Sequence, residues 1–230
     1  MPEISVSDGA RKLGLDPSRV RVLLQKGDLR GRKVGARWLL DEESALARGA
    51  EAVSEGRPFS PRMAWGYLSL LSGESAPWLD PASRSRLRAR IRHEPVRYVV
   101  PRLRSRAHAK YYRASLAAIS SLRSQREFVL SGVSAAAEHG ASIGASEQLE
   151  GYIPASQLKR LAYRLALAPV EPASANVILR VSKFPLGLQR RGIASAGVVA
   201  VDLLDSHDQR SIRAGNALAE RLRADRRPSR

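Results

Sequence analysis

An α+β fold is predicted for this 230-residue chain from two patterns. Residues 4–40 read as two short helices, a tight turn and a two-stranded hairpin, whereas the last hundred residues alternate short apolar strands with amphipathic helices. An arginine-rich helical stretch lies between them. The expected division is therefore a domain over residues 1–55, a basic helical connector over 56–126, and a mixed α/β domain over 127–230.

In the first domain Ser7 is placed to cap a helix carrying Ala10 and Leu13, and Gly14 gives a sharp turn its permissive backbone. Asp16 followed by Pro17 starts a second helix, because a carboxylate cap with proline at the first helical position is a strong start signal. Val20, Leu23 and Leu24 recur at helical spacing and form its buried side. The opposite face carries Ser18, Arg19, Arg21, Val22, Gln25 and Lys26, and Gly27 ends the helix. Residues 29–34 and 37–40 then flank Gly35-Ala36, a hairpin turn with glycine at its first central position. Arg30, Arg32, Lys33 and Arg37 make the hairpin basic, while Trp38 and Leu40 pack back on the helices. Helix, turn, helix and hairpin in this order make a winged helix-turn-helix. In such folds the second helix enters the major groove, so Ser18, Arg19 and Val22 are the candidate base readers.

The run GLDPSRVRVLLQ followed by KGDLRGRKVGARWLLDEE resembles the DNA-binding domains of phage excisionases and MerR-type regulators over about fifty residues. Gly27, Gly35, Arg37-Trp38 and a capped third helix at Asp41 are its most specific parts. The resemblance implies one helix in the major groove and a wing along the backbone or minor groove. Charge segregation agrees. Residues 11–37 hold nine basic side chains against Asp16 and Asp28, whereas residues 41–55 hold Asp41, Glu42, Glu43, Glu51 and Glu55 against Arg48 alone. One side suits phosphate and the other repels it.

The chain carries a formal net charge of +17 and an isoelectric point near 11.2, with 43% apolar residues. That balance favours a polyanionic partner together with real hydrophobic cores. Double-stranded DNA fits better than a membrane, since no apolar run approaches the roughly twenty residues of a spanning helix. Met1-Pro2-Glu3 lacks the basic and apolar regions of a secretory leader, and the absence of cysteine excludes disulfides and thiolate metal sites. A cytoplasmic location follows as the expectation.

Gly56-Arg57-Pro58 marks the first boundary. Ser60-Pro61 starts a helix with Met63, Ala64, Tyr67, Leu68 and Leu71 along one stripe, and Asp80-Pro81 starts another with Leu87 and Ile91 buried. Trp65 and Trp78 read as packing residues. Residues 57–127 hold fifteen basic side chains against four acidic ones, an excess of +11, which suits phosphate contacts that read no sequence, or an acidic partner protein, or simple solvation. Residues 96–100 are expected as a strand ended by Pro101, and Tyr111, Tyr112, Leu116, Ile119 and Leu122 as an amphipathic helix.

Further on, residues 127–130 read as a strand, turned by Ser131-Gly132 into an alanine-rich helix ending before Gly140. Tyr152-Ile153 reads as a strand, 155–165 as a helix, and 176–181 as the clearest strand in the chain. Residues 197–201 read as another strand. Ser206 and Gln209 have capping-box spacing for a last helix bearing Ile212, Gly215, Ala219 and Leu222 on one side, before a frayed basic tail from Arg223. VLSGVSAAAEHG, GYIPASQL, ANVILRV and VVAVDLLDSHDQRSIRAGNALAERL together resemble the C-terminal domain of AbiEi-type antitoxins of type IV toxin-antitoxin systems, which are also transcriptional autorepressors. The resemblance covers about a hundred residues and implies autorepression and a cognate toxin protein encoded nearby; a homodimer is the other expected protein partner.

No catalytic motif stands out. A nucleotidyltransferase needs a Gly-Ser loop followed by two carboxylates one residue apart, and a nucleotide-phosphate loop or nucleophile elbow needs its glycines; neither set is present. His93, His108 and His139 lack metal-ligand spacing. Asp202, Asp205, His207 and Asp208 form the densest polar cluster and read as turn and capping residues. The expectation is a transcriptional regulator, not an enzyme, with no cofactor and no metal; an excisionase-like recombination factor and a protein-binding antitoxin are the alternatives.

Overall fold

The computed structural model describes residues 3–13, 15–35, 37–42, 44–45, 58–141, 143, 148–183, 192–206 and 208–226. It is a mixed α/β structure with two sheets, as the α+β expectation requires. The chain divides into two compact units, Met1–Arg57 and Pro58–Arg230. No helix among the described residues is long and apolar enough to cross a membrane.

In the first unit β1 (Glu3–Ser5) leads directly into α1 (Val6–Leu13), followed by α2 (Pro17–Gln25), β2 (Gly31–Val34) and β3 (Arg37–Asp41). The three strands form one antiparallel sheet with β3 in the middle. Three residues are too few to show a periodic pattern, which is why β1 went unforeseen. It displaces the expected α1 cap from Ser7 to Ser5, whose Oγ accepts from the Asp8 N–H at 3.1 Å. Asp16 caps α2 as expected, accepting from the Ser18 N–H at 2.8 Å. Gly27, at φ +77°, ends the helix in the left-handed region where a Cβ is strained. Val20, Leu23 and Leu24 are buried with Val6, Ala10, Leu29 and Leu40, and Trp38 packs partly against them. The Asp41 carboxylate accepts from the Ser44 N–H at 3.2 Å, as a cap at that position should. Gly14, Ala36, Glu43, Arg48, Glu51, Glu55, Gly56 and Arg57, on which other expectations fall, lie outside the described residues.

The second unit contains α3 (Pro61–Leu71), α4 (Pro81–His93), α5 (Val96–Val99), a 3-10 helix (Val100–Arg106), β4 (His108–Arg113), α6 (Leu116–Arg123), β5 (Val129–Leu130), β6 (Leu149–Pro154), α7 (Leu158–Arg164), β7 (Ala168–Pro169), β8 (Val177–Ser182), α8 (Ala196–Leu204) and α9 (Gln209–Ala224). Its sheet runs β5-β6-β8-β4-β7, with β6 and β8 parallel and the other pairs antiparallel. Strand alternation gives the sheet two packed faces. Leu149, Ile153, Val177, Leu179 and Val181 join Leu122 and Leu161 from α6 and α7 on one side. On the other, Val129 and Tyr152 meet the larger core built from α3, α4, α8 and α9.

The expected connector is therefore not a separate body. β4 is an inner strand, pairing with β8 from His108↔Val181 to Tyr112↔Val177, and α3 packs on α8. Residues 58–126 share their cores with residues 127–226, so the boundary at 126/127 is withdrawn. Ser60 and Asp80 do cap α3 and α4, accepting from Met63 and Ser83. Trp65 is buried, with its Nε1 donating to the Arg106 carbonyl at 3.1 Å, and Trp78 donates to that of Arg62 at 3.2 Å.

Several local expectations are corrected. Residues 96–99 are a helical turn, because Pro95 opens it and Pro101 suits the first turn of the 3-10 helix that follows. Tyr111 and Tyr112 belong to β4, and Ser115 caps a helix that starts only at Leu116. The expected alanine-rich helix is two 3-10 turns, Gly132–Ser134 and Ala137–His139. Residues 197–201 lie in α8, which is buried along Gly197–Leu203. A β-branched run on a helix apolar all round gives no helical stripe to read. The last helix is capped by Asp208, accepting from the Ser211 N–H at 2.9 Å, and not by Ser206. Arg223 is no tail residue: it is buried in α9, donating to the Ile91 and Arg92 carbonyls at 2.8 and 3.0 Å, where the end of α4 leaves acceptors free.

Candidate functional site

The basic residues of the first unit sort into paired and unpaired. Arg32 is held by Glu3, its Nε and Nη2 donating to the two carboxylate oxygens at 2.8 and 2.9 Å. The Arg32 bond holds the Glu3 carboxyl below its ordinary value, and Glu3 in turn raises Arg32. Arg30 lies 4.0 Å from Asp41, Arg11 pairs with Asp8, and Lys12 pairs with Glu42. Arg19, Arg21 and Lys26 on and just beyond α2, with Lys33 and Arg37 on the hairpin, are exposed and form no ion pair among the described residues. These five cations are available to an outside anion. Arg32, placed in the candidate set by its sequence position, is already neutralised.

Ser18 also differs from expectation. Its Oγ donates to the Asp16 carboxylate at 2.5 Å, so only its lone pairs face outward, and these bonds hold the Asp16 carboxyl below its usual range. Gln25 is exposed, whereas Val22 is half-buried and offers a base only part of its side chain. Capping and the 3.6-residue repeat thus leave Arg19, Arg21 and Gln25 on α2, with Lys26 at its C-cap, as exposed groups whose polar ends have no side-chain partner among the described residues.

A second constellation went unseen in the sequence. In the Pro58–Arg230 unit the Asp202 carboxylate, on α8, is buried against the sheet and collects four donors. Tyr152 Oη donates to Oδ1 at 2.9 Å, Ser131 Oγ to Oδ2 at 2.5 Å, and Arg106 Nε and Nη2 to Oδ1 at 3.1 and 2.9 Å. Arg106 Nη2 also donates to Asp205 at 2.7 Å. Arg180, from β8, donates through Nε to Glu150 at 2.7 Å and through Nη1 to Asp205 at 3.3 Å. Two arginines and three carboxylates therefore share one largely dry layer. The turn-and-capping expectation holds for Asp205, the C-cap of α8, and for Asp208, and fails for Asp202, which lies inside α8; His207 lies outside the described residues.

Burial pushes the Glu150 carboxyl up despite its bonds with Arg180. Burial pushes the Tyr152 phenol up as well, and the neighbouring Asp202 charge acts the same way. Asp205 goes the other way: burial works against its charge, but Arg106 and Arg180 hold it below its ordinary value of 3.8. Asp205 thus contributes stability above its unfolded pKa that is lost as pH falls through the folded one. Glu150 has the opposite sign, contributing most below 4.5 and less as pH rises. Asp205→Asn is accordingly expected to flatten the loss of stability between about pH 5 and pH 3, read from denaturant midpoints across that range. An unchanged slope would mean that Asp205 is no better paired when folded than when unfolded.

Comparison with protein-family models, curated proteins and solved structures finds no match to this chain.

Proposed function

We infer that the protein is a sequence-specific double-stranded DNA-binding transcriptional regulator whose first unit acts as a winged helix-turn-helix. The observation carrying this reading is the set of five exposed cations on α2, at its C-cap and on the hairpin that form no ion pair among the described residues, while carboxylates elsewhere in the same unit pair with Arg11, Lys12 and Arg32. α2 enters the major groove with Arg19 and Gln25 toward base edges, and Lys33 and Arg37 hold phosphate. The resemblance of residues 129–222 to the C-terminal domain of AbiEi-type antitoxins supports an autorepressor paired with a toxin, and it rests on sequence alone. Co-expression with the product of the adjacent gene tests that pairing.

Arg19→Ala should weaken binding to the cognate duplex by about 1–3 kcal/mol and relax specificity at one base pair. Lys33→Ala or Arg37→Ala should weaken all duplexes alike and lower the slope of log affinity against log salt by about 1 per residue. Arg32→Ala should do less than either, since its charge is already met by Glu3. Fluorescence anisotropy on cognate and scrambled duplexes at several salt concentrations checks these outcomes. An equal loss on both duplexes for Arg19→Ala would remove it as a reader.

A further inference from the structure

Two clefts in the Pro58–Arg230 unit meet at Arg180 and Asp205. The first, of about 540 Å³, is lined by Arg104, Arg106, His108, Lys110 and those two residues. The second, of about 410 Å³, runs across the sheet past Tyr111, Ile178 and Pro172 to Gln148, Glu150 and Asp208. Among the described residues β7 pairs only with Tyr112 and Arg113, and no strand pairs with the outer side of β4 at His108–Lys110, beside the first cleft.

The two clefts differ in polarity. Arg104, His108 and Lys110 are exposed and make no ion pair among the described residues, and the buried Arg106 and Arg180, paired with the carboxylates of the ionic layer, stand behind them. The second cleft offers the exposed Asp208 carboxylate beside the Tyr111 ring and the apolar Pro172, Ala173 and Ile178. Between them sits Asp205, whose side chain remains 29% exposed while two arginines keep it ionised. A groove with cations at one end, an ionised acceptor in the middle and an apolar floor with acceptors at the other calls for a ligand of matching order: an anion, then hydroxyls, then a flat ring bearing N–H groups. Inorganic anions fill only the first part, and a lone amino acid is too small for both clefts.

We propose that this groove binds a nucleoside 5′-phosphate. The phosphate lies against Arg104 and Lys110, a sugar hydroxyl donates to Asp205, and the base rests on Tyr111 and Ile178 with its N–H groups toward Asp208. Phosphate affinity comes from charge, while base selection comes from the acceptors. The site belongs to the second unit and does not rest on the DNA reading of the first. The same chemistry is presented by a free nucleotide and by the 5′ end of a strand.

Isothermal titration of the full chain without duplex DNA tests the proposal. The probes are the four ribonucleoside monophosphates, the matching nucleosides, inorganic phosphate, and a short oligonucleotide with and without a 5′-phosphate. At least one monophosphate should bind roughly tenfold more tightly than either its nucleoside or phosphate. Arg104→Gln with Lys110→Gln, both surface changes, should weaken it by roughly tenfold or more at an unchanged melting temperature. Tighter binding of the phosphorylated oligonucleotide than of its 5′-hydroxyl form would assign the strand end as the source, and preference for the mononucleotide the free ligand. Equal affinity for phosphate and nucleotide, indifference to the double substitution, or no saturable binding up to about 5 mM would overturn the site. Duplex binding by the first unit is read separately, so either proposal fails alone.

Discussion

Asp202→Ala is expected to destabilise the chain by about 3–5 kcal/mol, enough to remove much of the stability of an ordinary domain. The carboxylate is 1% exposed and takes hydrogen bonds from Arg106, Tyr152 and Ser131. Removing it leaves Arg106 with Asp205 as its one remaining carboxylate among the described residues and Arg180 with Glu150 and Asp205, and it leaves a buried phenol and hydroxyl without their acceptor. Asp202→Asn should cost less, because it keeps one acceptor oxygen while losing the charge. Urea unfolding followed by circular dichroism ranks the variants, and a loss under about 1 kcal/mol for Asp202→Ala would mean that water replaces the carboxylate at little cost.

Gly132→Ala comes second, with an expected loss of about 3 kcal/mol or more. Gly132 has φ +51°, and a Cβ there would sit 1.8 Å from the Glu150 Oε2. The substituted residue must therefore adopt a strained backbone, displace a buried carboxylate from Arg180, or do both. Thermal melting checks it: a shift of less than about 2 °C would show that the Ser131–Ser134 turn moves freely. Combined with Asp202→Ala the two losses should not add, since Arg180 touches both Glu150 and Asp202.

The contrast between what was legible in the sequence and what was not has a physical basis. Asp16-Pro17, Ser60-Pro61 and Asp80-Pro81 announced three helices because the cap bond spans two or three residues and is complete within the local sequence. The strand at 176–181 and the hairpin around Gly35 were equally local. α8 was misread because its Val-Val-Ala-Val run is set by burial on every side, which overrides strand propensity. β4 was misread because Tyr111 and Tyr112 sit beside the helical spacing of Leu116, Ile119 and Leu122, and only pairing with β8 distinguishes them. The ionic layer is the extreme case: Arg106 meets Asp202 across 96 residues and Arg180 meets Glu150 across 30, so no spacing rule could join them. The same limit applies to the hairpin, where Arg32 looks as available as Lys33 in the sequence but β1 brings Glu3 beside it.

The most direct test of DNA recognition by the first unit is selection from a randomised duplex pool by the full chain, run in parallel with Arg19→Ala and with Arg104→Gln. The account predicts one enriched motif for the wild type, the same motif for Arg104→Gln, and loss of preference at one or two positions for Arg19→Ala. Recovery of no motif, or of an identical motif from the Arg19→Ala protein and an altered one from Arg104→Gln, would contradict it.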